Sequence, residues 1–333
     1  MYMLGIGRSW KTGAFVGVAL MIATVLAVRD LSRKEPPVVE LPPQMMRLQG
    51  LEKDAAGVLE VPLVRYEGSD SRAKGVTLDY IGAVHIGDEA YYRDLNRRFK
   101  EYEGVLYELV ADPTRIKQLN SQTASSGLGW FQKRLSELMG LSFQLEFVDY
   151  QAPNFIHADL SPAQLRAAMD ARGESLLALL GKMLTVSIDP SFQRRAKELE
   201  HTADSLKGIN PLLILLRGAT AHEQLKIKRF MARGMLESES LIKMMEGDQG
   251  LALIHDRNKA VVEVVRREIS AGKKRLAIFY GAGHLADLHK RLTTELGFGI
   301  KKVEWLPAWT IPASKDLNRP DTVSTGNGLV SLP

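Results

Sequence analysis

Two histidines follow a glycine at the same spacing, Gly82-Ala83-Val84-His85 and Gly281-Ala282-Gly283-His284. Each imidazole offers one nitrogen lone pair, and Glu108, in Tyr107-Glu108-Leu109 at the end of the strand expected beside that of His85, offers a carboxylate. Two histidines and one carboxylate with open coordination positions suit Zn, Mn, Co or Fe. An ion so held lowers the pKa of its bound water and polarises a carbonyl. His157 is a candidate third histidine ligand, with a loop hydrogen bond as the other reading. Arg257 is suited to steady an oxyanion, because guanidinium stays charged and donates in a fixed fork. Asn258 would orient water or substrate.

Plainer roles compete with each of these. A lone buried histidine is usually a hydrogen-bonded core residue, although the repeated pattern weakens that reading for His85 and His284. Glu108 needs a partner if buried, and a salt bridge to Arg257 would supply one. Asp256 reads as a helix N-cap. His255 adjoins the Asp256-Arg257-Asn258 segment and would line the site, whereas His201, His222 and His289 fall on polar helix faces and read as solvated. Glu304 takes in the second copy the position of Glu108 in the first, either as a second acid or as an echo of the repeat.

The elements that position these groups occur twice. Residues 75–85 read as a strand ending in the first glycine turn; a helix follows through Glu89, Tyr92, Leu95 and Phe99, then a strand over 104–110. Residues 273–284 repeat the pattern, with the apolar run Leu276-Ala277-Ile278-Phe279 typical of a buried parallel strand. A helix with Leu285, Leu288, Leu292 and Leu296 on one face follows, stopped by Gly297, and then a strand begins at Gly299. Both copies are βαβ units, with a histidine at the carboxyl end of a strand, where open parallel sheets place their ligands. Glycine is expected there to permit unusual φ and close backbone approach. The fold class is therefore α/β: a layered sheet built from two βαβ repeats, each carrying a Gly-x-x-His turn, with a helical insertion at about 127–247 between them. Within the insertion, Ser161-Pro162 marks a capped helix start.

Residues 1–34 hold an uncharged run, Thr12 to Val28, flanked by Arg8 and Lys11 before it and Arg29, Arg33 and Lys34 after it. At the short edge of the roughly 17–25 residues that span a bilayer, it reads as an uncleaved single-pass anchor or, alternatively, as a signal peptide cut after Ala27. Residues 35–50 form a proline-rich linker, 51–312 the α/β domain and 313–333 a loose polar tail. The 333 residues are 45% hydrophobic and 25% charged, with a net charge of +5 and basic residues interleaved with acids. That balance argues against disorder, a many-span membrane protein and nucleic-acid binding. The absence of cysteine excludes disulfides and thiolate ligands, so any metal must use nitrogen and oxygen donors.

With these pieces in place, the chain resembles the TraB/PrgY/TIKI superfamily, which is related to GumN-like proteins and erythromycin esterases. The resemblance rests on Gly82-Ala83-Val84-His85 with Tyr107-Glu108-Leu109, on Asp256-Arg257-Asn258 and on Gly281-Ala282-Gly283-His284, and covers residues 76–306 in outline. The family pattern has Glu-Arg-Asn where this chain has Asp256-Arg257-Asn258. The resemblance implies a metal-dependent hydrolase on the outer side of a membrane, using Mn, Co or Zn to cleave a peptide bond or, as second choice, a small ester. The competing class is a non-catalytic, membrane-anchored regulatory protein that binds a peptide signal; a haem or metal carrier is the third.

Overall fold

The computed structural model describes residues 45–111 except 53, 141–175, short stretches and isolated positions between 178 and 217, 218–246 and 251–318. The apolar run at 12–28, most of the linker, His201 and the tail beyond 318 lie outside the described residues. Among the described residues, no helix is long and apolar enough to cross a membrane.

The described residues build a seven-stranded sheet. Its strands are β1 (Arg47–Gly50), β2 (Gly57–Gly68), β3 (Thr77–Ala83), β5 (Gly104–Tyr107), β7 (Phe155–His157), β8 (Arg275–Gly281) and β9 (Phe298–Ile311). A two-residue ladder joins β4 (Ile86–Gly87) to β6 (Ser142–Phe143). The described helices are α1 (Glu89–Phe99), α2 (Gln144–Phe147), α3 (Pro162–Ala171), α4 (Ala221–Glu246), α5 (Ala252–Ser270) and α6 (Leu285–Leu296).

Strands β3, β8, β5 and β7 run parallel in that spatial order. Strand β2 pairs antiparallel with β3 and, along its whole length, with β9. The parallel centre is buried on both faces: Leu276 to Tyr280 of β8 have no exposed surface, as expected of a strand covered above and below. The layered α/β expectation holds at this level. Three details differ. Glu108 follows β5, which borders β8 rather than the strand of His85, because a segment nearly two hundred residues downstream inserts between β3 and β5. The region read as a helical insertion contributes β7 to the main sheet. The end of the presumed linker, Arg47–Gly50, is the strand β1.

Local signals explain several ends. Ser161 caps α3, accepting from the Gln164 backbone while the Gln164 side chain accepts from Ser161 N–H, with Pro162 opening the helix. Gly297 ends α6 at φ 71°, a left-handed conformation that favours glycine. Helix α5 begins at Ala252, whose N–H is accepted by the buried carboxylate of Glu174 at 3.0 and 3.2 Å. Asp256 therefore lies one turn inside the helix, not at its cap, and pairs with Arg172 at 2.6 Å and Lys259 at 3.1 Å.

Candidate functional site at the carboxyl edge of the parallel strands

The parallel strands end together. Tyr107 of β5 lies opposite Phe279 of β8, and Ala83 of β3 opposite Gly281. Glu108 extends the ladder by one residue, its N–H donating to the Phe279 carbonyl at 3.2 Å. Its side chain then takes over where the backbones part: Oε2 accepts from Gly281 N–H at 2.6 Å. A Cβ on residue 281 would stand 3.1 Å from that oxygen. Gly281 has φ −51°, and Gly82 has no positive φ either. These glycines therefore serve close approach, not unusual torsion: a Cβ at 82 would press on Pro62 and Val61 at 3.2–3.3 Å. Carbonyls freed at the turns are taken by tyrosines. Tyr91 donates to Gly82 O, Tyr92 to Val84 O and Tyr80 to Gly281 O, at 2.7–2.9 Å.

Above the edge lies α5, which presents Arg257 and Asn258 on its buried side. Arg257 is a clamp. Its Nε and Nη2 donate to the two oxygens of Asp159 at 2.9 and 2.6 Å, and Nη2 donates to Glu108 Oε1 at 2.7 Å. The Asp159 carboxylate has no exposed surface. The contacts of Nη1 are longer, 3.5 Å to Leu253 O and 3.4 Å to His284 Nε2. Burial alone would lower the Arg257 pKa, but the two carboxylates outweigh it and hold the group above its ordinary range. Burial likewise pushes the Glu108 carboxyl up; the facing His284, Arg257 and Gly281 N–H outweigh it and hold the group below the usual value.

His284 closes the short 3-10 turn Ala282–His284 and leads into α6. Its Nδ1 lies 2.7 Å from Asn258 Oδ1. The Asn258 amide is oriented by two acceptors for its Nδ2, Asp287 Oδ2 at 2.9 Å and His284 O at 3.3 Å. The amide oxygen therefore faces the ring, Nδ1 carries the proton, and the lone pair is on Nε2, 3.4 Å from Arg257 Nη1 and 3.7 Å from Glu108 Oε1. Burial lowers the His284 pKa to about 4, against the raising effect of Glu108, so the ring is neutral at pH 7. Tyr280 packs edge-on to it at 5.1 Å.

His85 stands at the neighbouring strand end with its ring exposed, Nδ1 3.3 Å from Gln144 Oε1. Among the described residues no hydrogen bond or ion pair joins it to Glu108 or His284. His157 ends β7 and donates Nε2–H to Leu109 O at 2.7 Å. Two residues further on it is Asp159, not His157, that reaches Arg257. His255 stands one layer out, its Nε2 3.3 Å from the Asp287 that holds Asn258. Glu304 lies on β9 and pairs with Arg98 at 2.8 Å, away from the cluster, so it is an echo of the pattern only. His289 is only half-exposed rather than free on a polar face: its Nδ1 is 3.1 Å from the buried Tyr66 hydroxyl. His222 is exposed as expected. Asp159, Asp287 and Gln144 were not singled out from sequence, although Asp159 follows a strand-end histidine at close range.

The fit to a metal is partial. Glu108 Oε1 and His284 Nε2, 3.7 Å apart, are spaced as two donors to one ion. With His284 neutral, the acids Glu108 and Asp159 exceed Arg257 by one negative charge, which a cation would balance. Among the described residues, no three His, Asp or Glu side chains stand arranged to hold an ion. Comparison of the chain with protein-family models and with curated proteins finds no match.

Proposed function

We propose that this chain is a metal-assisted hydrolase that cleaves a peptide bond or, as second choice, a small ester, as its resemblance to the TraB/PrgY/TIKI superfamily implies. The observation that carries the reading is the neutral His284, tied at Nδ1 to Asn258 so that the unprotonated Nε2 lies between Arg257 Nη1 at 3.4 Å and the buried Glu108 carboxylate at 3.7 Å. Fixing a ring through its second nitrogen is how proteins prepare an imidazole ligand. Glu108 and His284 would hold the ion, and His85, from the other Gly-x-x-His turn, is the candidate third ligand. His157, whose Nε2–H goes to the Leu109 carbonyl, would have only its Nδ1 to offer an ion. An ion of Mn, Co or Zn would supply a water of lowered pKa and polarise the scissile carbonyl. The protein's own groups do the rest. Glu108, with Oε1 on the ion and Oε2 held by Gly281 N–H, would fix the ion beside the attacking water, and Arg257 Nη1, whose contacts are its longest, is the end able to turn toward a developing oxyanion. Asn258 keeps the His284 tautomer.

The test joins elemental analysis of the purified protein to hydrolysis of a diverse peptide and ester library. Chelation should abolish turnover, and Mn or Co should restore it. His85→Ala and His284→Ala should each lose metal and activity together, whereas Glu108→Gln should show whether turnover falls with metal retained. Metal binding without cleavage of any substrate would replace the hydrolase with a regulatory protein that binds a peptide. Cleavage by metal-free protein would remove the ion from the mechanism.

The same proposal places the domain on the outer, periplasmic or extracellular, side of a membrane, held by the apolar run Thr12 to Val28. A chain beginning at Pro36 should remain soluble and folded. Full-length protein with an intact N-terminus should resist carbonate extraction; its release would count against the anchor.

A further inference from the structure

The two Gly-x-x-His histidines share a feature that neither turn contains. His284 Nδ1 meets the carboxamide oxygen of Asn258 at 2.7 Å, and His85 Nδ1 meets the carboxamide oxygen of Gln144 at 3.3 Å. The two amides come from unrelated elements, α5 and α2. We propose that Gln144 is a positioning residue: it holds His85 in the Nδ1–H tautomer and so presents the His85 Nε2 lone pair, as Asn258 does for His284. The inference rests on the reading of these histidines as metal donors, but the tautomer itself is measurable without metal.

Gln144 is built into place. It is 5% exposed, although the ring it serves is exposed. The β4–β6 ladder pairs Ile86 with Phe143 and Gly87 with Ser142, joining the segment after His85 to the segment before Gln144. The Gln144 backbone N–H then donates to His85 O at 3.0 Å. Helix α1 pins the other end of α2, since Asn96 donates to Phe147 O at 2.6 Å and accepts from Asp149 N–H at 3.2 Å. The Gln144 amide nitrogen is directed away from the histidine, donating to the Tyr150 hydroxyl at 2.7 Å. That leaves the oxygen to face His85, and only a protonated Nδ1 can donate to it. A buried carboxamide costs free energy unless both its ends are bonded, and this pairing satisfies both. Partners of this kind typically change metal affinity by about 10–100-fold when removed.

The experiment uses the full-length chain with 15N label in its seven histidines, freed of metal, at mildly alkaline pH. Ring-nitrogen chemical shifts report which nitrogen carries the proton. Expected for the wild type are protonated Nδ1 and bare Nε2 at both His85 and His284. Gln144→Met should move His85 alone to the opposite tautomer and weaken Mn binding by about 10–100-fold. Gln144→Glu, which keeps an acceptor at the same place, should retain protonated Nδ1 at His85. A wild-type His85 protonated at Nε2, or one unmoved by Gln144→Met in protein whose His284 signal is native, overturns the proposal. If Gln144→Met does not fold, loss of the Nδ1–H form in folded Gln144→Glu overturns it equally. Tautomers as expected without Mn binding would instead sink the metal reading and leave the role of Gln144 in orienting His85 standing.

Discussion

Arg257→Met will destabilise the folded domain by about 3–5 kcal/mol, the scale of removing one partner from a buried ion pair. The reason is what the substitution leaves behind. Asp159 has a fully buried carboxylate and Glu108 one that is 12% exposed, and both accept from the same guanidinium at 2.6–2.9 Å. Without it, two acids sit close together in a poorly solvated place. For a domain of this size such a loss lowers the melting temperature by roughly 10 °C. The two sequence readings of Arg257 differ here: an oxyanion donor would leave a folded but slowed enzyme, whereas the salt bridge to Glu108 makes its loss destabilising. The geometry shifts the weight, because the short hydrogen bonds of Arg257 are all to carboxylates and only Nη1 makes long contacts. The check is a double-mutant cycle in thermal melts. Asp159→Asn in the Arg257→Met background should recover stability, since it removes one stranded charge. If the single Arg257 variant melts like the wild type, the clamp is not structural and the oxyanion role is the one that remains.

The sequence carried the local parts of this architecture well and the remote parts poorly. Strands β3, β5 and β8, helices α1 and α6, the Ser161 cap and the Gly297 stop were all legible, because each depends on residues within a turn or two of one another. Strand β2 was not recognised; Pro62 interrupts its alternating pattern, and its long partner β9 lies more than two hundred residues away. The insertion of β8 between β3 and β5 has no local signature, so the neighbour of Glu108 was misassigned. The site divides the same way. His85, His284 and Glu108 could be picked out because a turn motif or a strand-end acid marks them. Asp159, Asp287 and Gln144 could not, because each is defined by the group it bonds across space: Arg257, Asn258 and His85. A carboxamide that fixes a ring is indistinguishable in sequence from any other glutamine.

Metal-free protein should lose stability on acidification in two stages, and the first should belong mainly to His284. Its folded pKa is depressed to about 4 from an unfolded value of 6.5. Above pH 6.5 both states are neutral at this ring, and its contribution is fully present. Below that value the unfolded chain takes up a proton that the folded protein refuses until about pH 4. Stability is therefore lost progressively across that window and no further below it. The difference corresponds to roughly 3 kcal/mol. Burial also depresses His255 and His289, which are more exposed and add to the same limb. The second stage comes from Glu108, held below the ordinary carboxylate value of 4.5 by His284, Arg257 and Gly281 N–H against the upward push of burial. Its contribution is present above 4.5 and disappears as the pH falls through the depressed folded value. Melting temperature measured against pH with chelator present should thus fall from about pH 6.5 downward. His284→Gln should flatten most of the limb between 6.5 and 4 and reduce the fall below it without abolishing it, since Arg257 and Gly281 N–H still hold Glu108 down. An unchanged upper limb in that variant would mean that His284 is already charged in the folded protein, and the bare Nε2 on which the proposed site depends would not exist.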